Sequence, residues 1–118
     1  MKNTLIICLL LVLSSCQPKE LPTIFEFSDG YALVKLSHQS TKGEMESMFG
    51  KLDSLGYTCD YLQSEFFKDG KLRRLRLTVV CPDGKGGFTS PDLAKLQFRY
   101  YGFQYQKTGS PIFKIGAL

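Results

Sequence analysis

One histidine and a few carboxylates are the side chains of this sequence that could do acid–base chemistry. His38 has the ring of a general base, but it follows a predicted strand just before a predicted helix cap, and no Ser, Cys or Asp partner can be assigned to it. Asp60, Glu65 and Asp69 alternate along a predicted strand or lie in a turn, so their spacing does not bring them together in a cleft. We therefore expect His38 to be a solvated loop residue and predict no catalytic residue.

Two cysteines, Cys59 and Cys81, lie in segments that we expect to pair as one hairpin. An oxidising compartment would favour a disulfide between them, worth about 2–4 kcal/mol. The alternative is two buried free thiols that pack as small apolar side chains. No metal site is predicted, because two isolated Cys and one His lack a ligand spacing. No cofactor is predicted either: residues 84–87 (Gly-Lys-Gly-Gly) lack the spacing of a phosphate-binding loop and fit a hairpin or crossover loop better.

The N-terminal segment has the pattern of a bacterial export signal. Lys2 supplies a positive charge, and residues 5–13 form an unbroken apolar run, too short for a membrane-spanning helix of about 20 residues. The run ends in Leu13-Ser14-Ser15-Cys16, which resembles the lipobox of bacterial lipoproteins. That resemblance implies cleavage after residue 15 and a diacylglyceryl group on the sulfur of Cys16. The alternative is an ordinary secretory signal that contains a cysteine.

The resulting organisation is a signal peptide (residues 1–15), a lipidated polar tether (16–22) and one folded domain (23–118). The first expected partner is the membrane, through the lipid at Cys16. Gln17 stands where an Asp would favour inner-membrane retention in the enteric pattern, so the predicted location is the cell envelope at the outer membrane. A formal net charge of +4 does not indicate a nucleic-acid partner.

The domain has one clear helix signal. Thr41 and Glu44 form a capping-box pattern, and Gly56 stands where a left-handed residue would end the helix. Between them, apolar residues at spacings of three and four make one stripe: Met45, Met48, Phe49, Leu52 and Leu55. A strand over residues 31–36, after a turn at 28–30, precedes the helix.

Strand signals dominate the rest of the domain. Residues 57–67 and 72–81 alternate around Lys68-Asp69-Gly70-Lys71, which predicts a hairpin whose three-residue bulged turn pairs odd positions with odd. A loop (82–87), a possible helical turn (90–93), an aromatic strand (96–105) and an edge strand (111–115) follow. We predict an α+β fold, a single helix packed on an antiparallel sheet, in the order β-α-β-β-β-β.

Two surfaces are candidates for binding. Successive side chains of a strand point to opposite faces, so only half of the rings in the aromatic strand can point inward. The others form an exposed binding face or are covered by the chain termini. These rings are Phe98, Tyr100, Tyr101, Phe103 and Tyr105. The hairpin is basic and could contact anionic lipid head groups or an acidic partner, although a solvated outer strand face explains it as well. Its cations are Lys68, Lys71, Arg73, Arg74 and Arg76.

Residues 34–80 carry a second resemblance. Thr41-x-x-Glu44, Gly56-Tyr57, Asp69-Gly70-Lys71-Leu72 and Leu75-x-Leu77 resemble a small extracytoplasmic module of Gram-negative bacteria. This module occurs in beta-lactam-sensor-type antirepressor metallopeptidases and in short lipoproteins. The resemblance implies a noncatalytic periplasmic α+β module, and the metallopeptidase zinc motif has no counterpart here.

The leading hypothesis is a lipid-anchored, noncatalytic binding or interaction domain of the cell envelope, with an envelope protein or ligand as partner. One alternative is an inhibitor or immunity-type lipoprotein, because cystatin-like inhibitors also place a helix on an antiparallel sheet. The other is a small envelope enzyme that uses His38 or a carboxylate pair.

Overall fold

The computed structural model describes residues 20–96, 99–109 and 111–118. The predicted signal, Cys16 and Phe98 lie outside the described residues. The described part contains one helix and nine strands, in three antiparallel sheets of order β1-β2-β8-β9, β3-β6-β7 and β4-β5. The elements are β1 (Ile24–Ser28), β2 (Tyr31–Leu36), α1 (Lys42–Ser54), β3 (Thr58–Asp60), β4 (Glu65–Phe66), β5 (Leu72–Arg74), β6 (Leu77–Val80), β7 (Gly86–Thr89), β8 (Tyr101–Gln106) and β9 (Phe113–Ala117).

The α+β class is confirmed, but the predicted order β-α-β-β-β-β is wrong. The chain begins with a β-hairpin, because Ile24–Ser28 forms β1 and pairs antiparallel with β2. Asp29 and Gly30 are the two residues that connect these strands, and Gly30 has a φ of 73°. A two-residue turn demands such a backbone, which glycine adopts without a steric penalty.

Helix α1 forms where its capping residues predict it. The Thr41 hydroxyl accepts a hydrogen bond from the Glu44 amide, and the Glu44 carboxylate accepts one from the Thr41 amide at 2.9 Å. The stripe is buried through Met45, Met48, Phe49 and Leu52, whereas Leu55, the C-cap residue, is 46% exposed. Gly56 follows with a φ of 94°. Local sequence therefore sets both ends of the helix.

The predicted long hairpin forms as two nested strand pairs, β4–β5 beside the turn and β3–β6 farther along the arms. Its turn is the expected three-residue one, since the Phe67 amide donates to the Lys71 carbonyl and Gly70 has a φ of 88°. The second arm breaks between β5 and β6 because the Leu75 amide donates to the Pro91 carbonyl, which lies in a distant segment. Odd positions still pair with odd ones where the strands continue: Cys59 lies opposite Val79.

Two further segments differ from the sequence prediction. Gly86–Thr89, expected to be mostly loop, is β7 and pairs with β6. A Cβ atom added to Gly87 would come within 2.8 Å of Ile115, so glycine lets β7 pack closely against β9. The helical turn expected from Ser90 begins instead at Asp92, whose carbonyl accepts hydrogen bonds from the amides of Lys95 and Leu96. Asp92 also forms an isolated antiparallel bridge with Arg74.

One apolar cluster joins the sheets and the helix. The inward face of the four-stranded sheet contributes alternate residues of β2 and β8, and α1 contributes its stripe. The two smaller sheets add Leu72, Leu77 and Val79, all fully buried. The opposite face of the four-stranded sheet carries the out-pointing residues, such as Tyr31, Leu33 and Lys35, none of which is buried. The core thus lies on one side of this sheet, which is typical of an α+β domain.

Candidate functional site

A pocket of about 380 Å³ opens at one end of the four-stranded sheet. We call it the end pocket. Its volume is near the lower limit of about 300–1,000 Å³ that is usual for small-molecule sites. The side chains that line it come from four separate segments of the chain. They are Phe27, Ser28, Asp29, Gly30, Leu55, Tyr57, Pro82, Tyr105 and Lys107.

Two turns, the end of the helix and the end of one strand meet at the end pocket. The β1–β2 turn brings in Asp29, and the end of α1 brings in Leu55. Pro82 comes from the β6–β7 turn, where the Cys81 amide donates to the Lys85 carbonyl at 2.7 Å. Lys107 follows β8, and its amide donates to the Gly30 carbonyl at 2.8 Å. Backbone hydrogen bonds therefore position most of the wall.

Two tyrosine rings are the most deeply buried part of the pocket lining. Tyr57 and Tyr105 are 4% and 3% exposed, and their ring centroids lie 5.8 Å apart in an edge-to-face arrangement. Burial raises the pKa of Tyr57 to about 12, and the nearby thiol of Cys81 adds to the effect. Burial also raises the pKa of Tyr105, as does the Asp83 carboxylate, which accepts a hydrogen bond from its hydroxyl. Both hydroxyls are therefore protonated at neutral pH.

Two opposite charges line the same pocket. Asp29 and Lys107 are both exposed, and neither forms an ion pair with another described residue. Asp83 differs from Asp29, because its carboxylate also accepts a hydrogen bond from the Lys85 amide at 2.9 Å. The end pocket thus combines an aromatic interior with one carboxylate and one ammonium group, each able to pair with a ligand.

The structure places the rings of the aromatic strand on two faces, with one set in the core. Tyr101, Phe103 and Tyr105 are buried, at 7%, 0% and 3% exposure, because β8 is a central strand whose inward face meets the core. Tyr105 also lines the end pocket. Tyr100 lies on the other side, where its hydroxyl donates to the Pro22 carbonyl at 2.7 Å and Lys35 lies 5.7 Å above its ring. The N-terminal segment therefore contacts the hydroxyl of this half-buried side chain.

Cys59 and Cys81 are free thiols in the structure. Cys59 lies opposite Val79, so Cys81 is displaced from it by two residues along the partner chain. Such diagonal neighbours lie about 7–8 Å apart, whereas a disulfide needs Cα atoms within about 6.8 Å. Burial raises the pKa of each thiol to about 12. The register therefore favours the free-thiol alternative over the disulfide.

The remaining candidates do not converge. His38 lies half-buried in the turn after β2, and Asp60, Glu65 and Asp69 are exposed at separate positions. In the basic hairpin, Arg73 contacts Glu65 at 2.6 Å, an ion pair that offsets part of the positive charge. The other ion pairs join Arg74 to Glu65 at 3.6 Å and to Asp92 at 3.4 Å. A shallower depression of about 190 Å³ lies beside the exposed ring of Phe88.

The N-terminal segment meets the domain at the end opposite the end pocket. Leu21 is 5% exposed, its amide donates to Gln39 Oε1 at 2.7 Å, and its carbonyl accepts from the Ser37 hydroxyl at 2.6 Å. Thr23 Oγ1 lies 2.7 Å from Ser40 Oγ, just before the start of α1. Helix α1 runs from this end to the pocket, a distance of about 20 Å at 1.5 Å per residue.

The sequence did not reveal the end pocket, although part of its signal was visible. Ser28-Asp29-Gly30 is a recognisable turn. Without β1, however, nothing placed that turn beside Lys107 or Tyr57. These contacts depend on the pairing of β2 with β8, whose residues are more than sixty positions apart in the chain.

The chain has no match among the protein-family models, the curated proteins or the solved structures with which it was compared. No helix in the described part of the chain combines the length and apolar character needed to cross a membrane.

Proposed function

We propose that this protein is a lipid-anchored, noncatalytic binding module of the bacterial cell envelope, and that the end pocket is its binding site. The observation that carries the proposal is the placement of the two ends. The N-terminal segment joins the domain beside Ser37 and Gln39, and the pocket opens at the opposite end, about one helix length away. A domain tethered at one end and open at the other can present its pocket away from a membrane.

The length of the tether strengthens this placement. Five residue steps separate Cys16 from Leu21, where the chain is already buried. A fully extended chain of that length reaches no more than about 18 Å. A lipid at Cys16 would therefore keep the tethered end, which is opposite the pocket, within about 18 Å of the membrane surface. Because Gln17 follows the cysteine, we place the anchor in the outer membrane.

The chemistry of the pocket supports binding rather than catalysis. The raised pKa values of Tyr57 and Tyr105 keep both hydroxyls protonated, so these groups act as hydrogen-bonding walls rather than as bases. Phe27 and Leu55 are 47% and 46% exposed at the edge of the pocket. A ligand that enters the pocket would remove part of their apolar surface from water, which favours binding.

Lipid attachment is the direct test of the anchor. Cells that express the full-length chain would be grown with a labelled fatty acid and then fractionated. We expect label on the wild-type protein in the membrane fraction and none on Cys16→Ser. The matched control is Cys8→Ser, which also removes a cysteine from the N-terminal segment and should keep the label. An unlabelled wild-type protein, or a Cys16→Ser variant that retains the label, would contradict the proposal.

A further inference from the structure

The charges of the end pocket indicate the kind of ligand that it takes. Asp29 and Lys107 are brought together because the Lys107 amide bonds to Gly30, the residue next to Asp29. The lysine stem packs over Gly30, where an added Cβ would lie 3.1 Å from the lysine Cβ. Asp29 and Lys107 are therefore neighbours in the pocket lining, while the aromatic rings of Tyr57 and Tyr105 are its most buried part.

Neither charge forms an ion pair within the part of the chain that the structure describes. The described residues form three ion pairs, all around Glu65 and Asp92 at a distance from the pocket. An apolar ligand that covered Asp29 and Lys107 would strip water from both without compensation. A ligand with only one charge would satisfy one of them. A ligand with an anionic and a cationic group would satisfy both.

We infer that the end pocket binds a small zwitterion with an apolar body, namely a free α-amino acid with an apolar side chain. Its ammonium group pairs with Asp29, its carboxylate pairs with Lys107, and its side chain lies against Tyr57, Tyr105 and Phe27. The volume of about 380 Å³ accommodates a molecule of this size. This inference rests on the proposed function, because it names the ligand class of the same binding site.

Three probes that share one ring but differ in charge test this assignment. L-Phenylalanine carries both charges, N-acetylphenylalanine only the carboxylate, and phenylalanine amide only the ammonium. The full-length chain would be purified from membranes in detergent and titrated with each probe by calorimetry. We expect saturable binding of L-phenylalanine and about fivefold weaker binding of each of the other two, since an exposed charge pair contributes up to about 1 kcal/mol.

Two variants separate the roles of the charges. Lys107→Met keeps the aliphatic stem over Gly30 and should weaken binding of L-phenylalanine and the N-acetyl probe about fivefold, without an effect on the amide probe. Asp29→Asn keeps a residue suited to the turn and should weaken L-phenylalanine and the amide probe, without an effect on the N-acetyl probe. The matched controls are Lys114→Met and Glu26→Gln, which alter exposed charges on the outer face of the same sheet.

The outcomes are decisive in both directions. Selective losses of the expected kind, with both controls at the wild-type affinity, support the inference. Equal affinity for all three probes would show a purely apolar pocket. Tighter binding of the amide probe than of L-phenylalanine would show a site for cations. The absence of a heat signal with every probe would show that there is no such binding site. Each of these three results overturns the inference. Because the titration does not depend on the lipid, its failure is distinguishable from a failure of the fatty-acid labelling, which tests the anchor.

Discussion

Burial changes the acid–base chemistry of three neighbouring residues. It raises the pKa of the Cys59 and Cys81 thiols from 9.0, and of the Tyr57 hydroxyl from 10.0, in each case to about 12. The folded state therefore holds protons that the unfolded chain releases as the pH rises. This contribution to stability is fully present below pH 9 and is lost as the pH rises from 9 towards 12.

Urea denaturation at several pH values measures this effect. We expect the free energy of unfolding to change little between pH 7 and 8 and to fall above pH 9. In the double variant Cys59→Ala, Cys81→Ala the fall between pH 9 and 10 should become shallower, because the thiols titrate there before tyrosine does. Identical slopes in the wild type and the double variant would contradict the assigned cause.

The same residues show what a sequence can reveal about single positions. Alternation predicts that Cys59 and Cys81 share one face of a hairpin, and odd-to-odd pairing is confirmed. Alternation does not decide whether Cys59 faces Val79 or Cys81, because a slip of two residues leaves both on the same side. That choice, on which a disulfide depends, is made by contacts elsewhere in the hairpin.

At the level of elements, helix α1 combines a capping box at its start with two glycines in its first nine residues. Gly43 and Gly50 lower its intrinsic stability by up to about 1 kcal/mol each relative to alanine. We expect Thr41→Ala to lower the free energy of unfolding by about 1 kcal/mol, because it removes the acceptor for the Glu44 amide. The control is Ser47→Ala, an exposed position of the same helix where alanine should be neutral or slightly stabilising. Urea denaturation would show equal effects if the cap were unimportant.

The elements that sequence predicts correctly are those set by local interactions. Helix α1 and the turn at Gly70 carry their caps and left-handed residues within a few positions. The break between β5 and β6 arises instead from the bond of Leu75 to Pro91, and β7 forms because Gly87 can approach Ile115. The glycines of residues 84–87 therefore predict a loop from sequence, although in the structure Gly87 allows two strands to pack closely.

At the scale of the whole molecule, the candidate site is a product of topology. Its lining residues are drawn from positions 27–30, 55–57, 82 and 105–107. The pairing of β1, β2 and β8 brings together the first and last of these segments, and the end of α1 and the β6–β7 turn add the others. The sequence pattern of each segment shows only a turn, a helix end or a strand end. The pocket opens at the end of the domain opposite to the one where the N-terminal segment is held through Leu21.

This polarity predicts how the anchored domain stands on a membrane. The β4–β5 turn lies beside the start of α1, because the Lys42 amide donates to the Gly70 carbonyl at 3.0 Å, whereas the β6–β7 turn contributes Pro82 to the end pocket. Lys68→Cys and Lys85→Cys place one reactive thiol in each turn, and the raised pKa values of the native thiols leave them unreactive near neutral pH. With lipidated protein in vesicles and quencher-labelled lipid head groups, a fluorophore at position 68 should be quenched at least twice as strongly as one at position 85.

The unlipidated Cys16→Ser background is the control, in which both labels should be equally unquenched. Equal quenching on the lipidated protein would mean that the domain rotates freely about its tether, and stronger quenching at position 85 would mean that the pocket faces the membrane. Either result would contradict an outward-facing pocket.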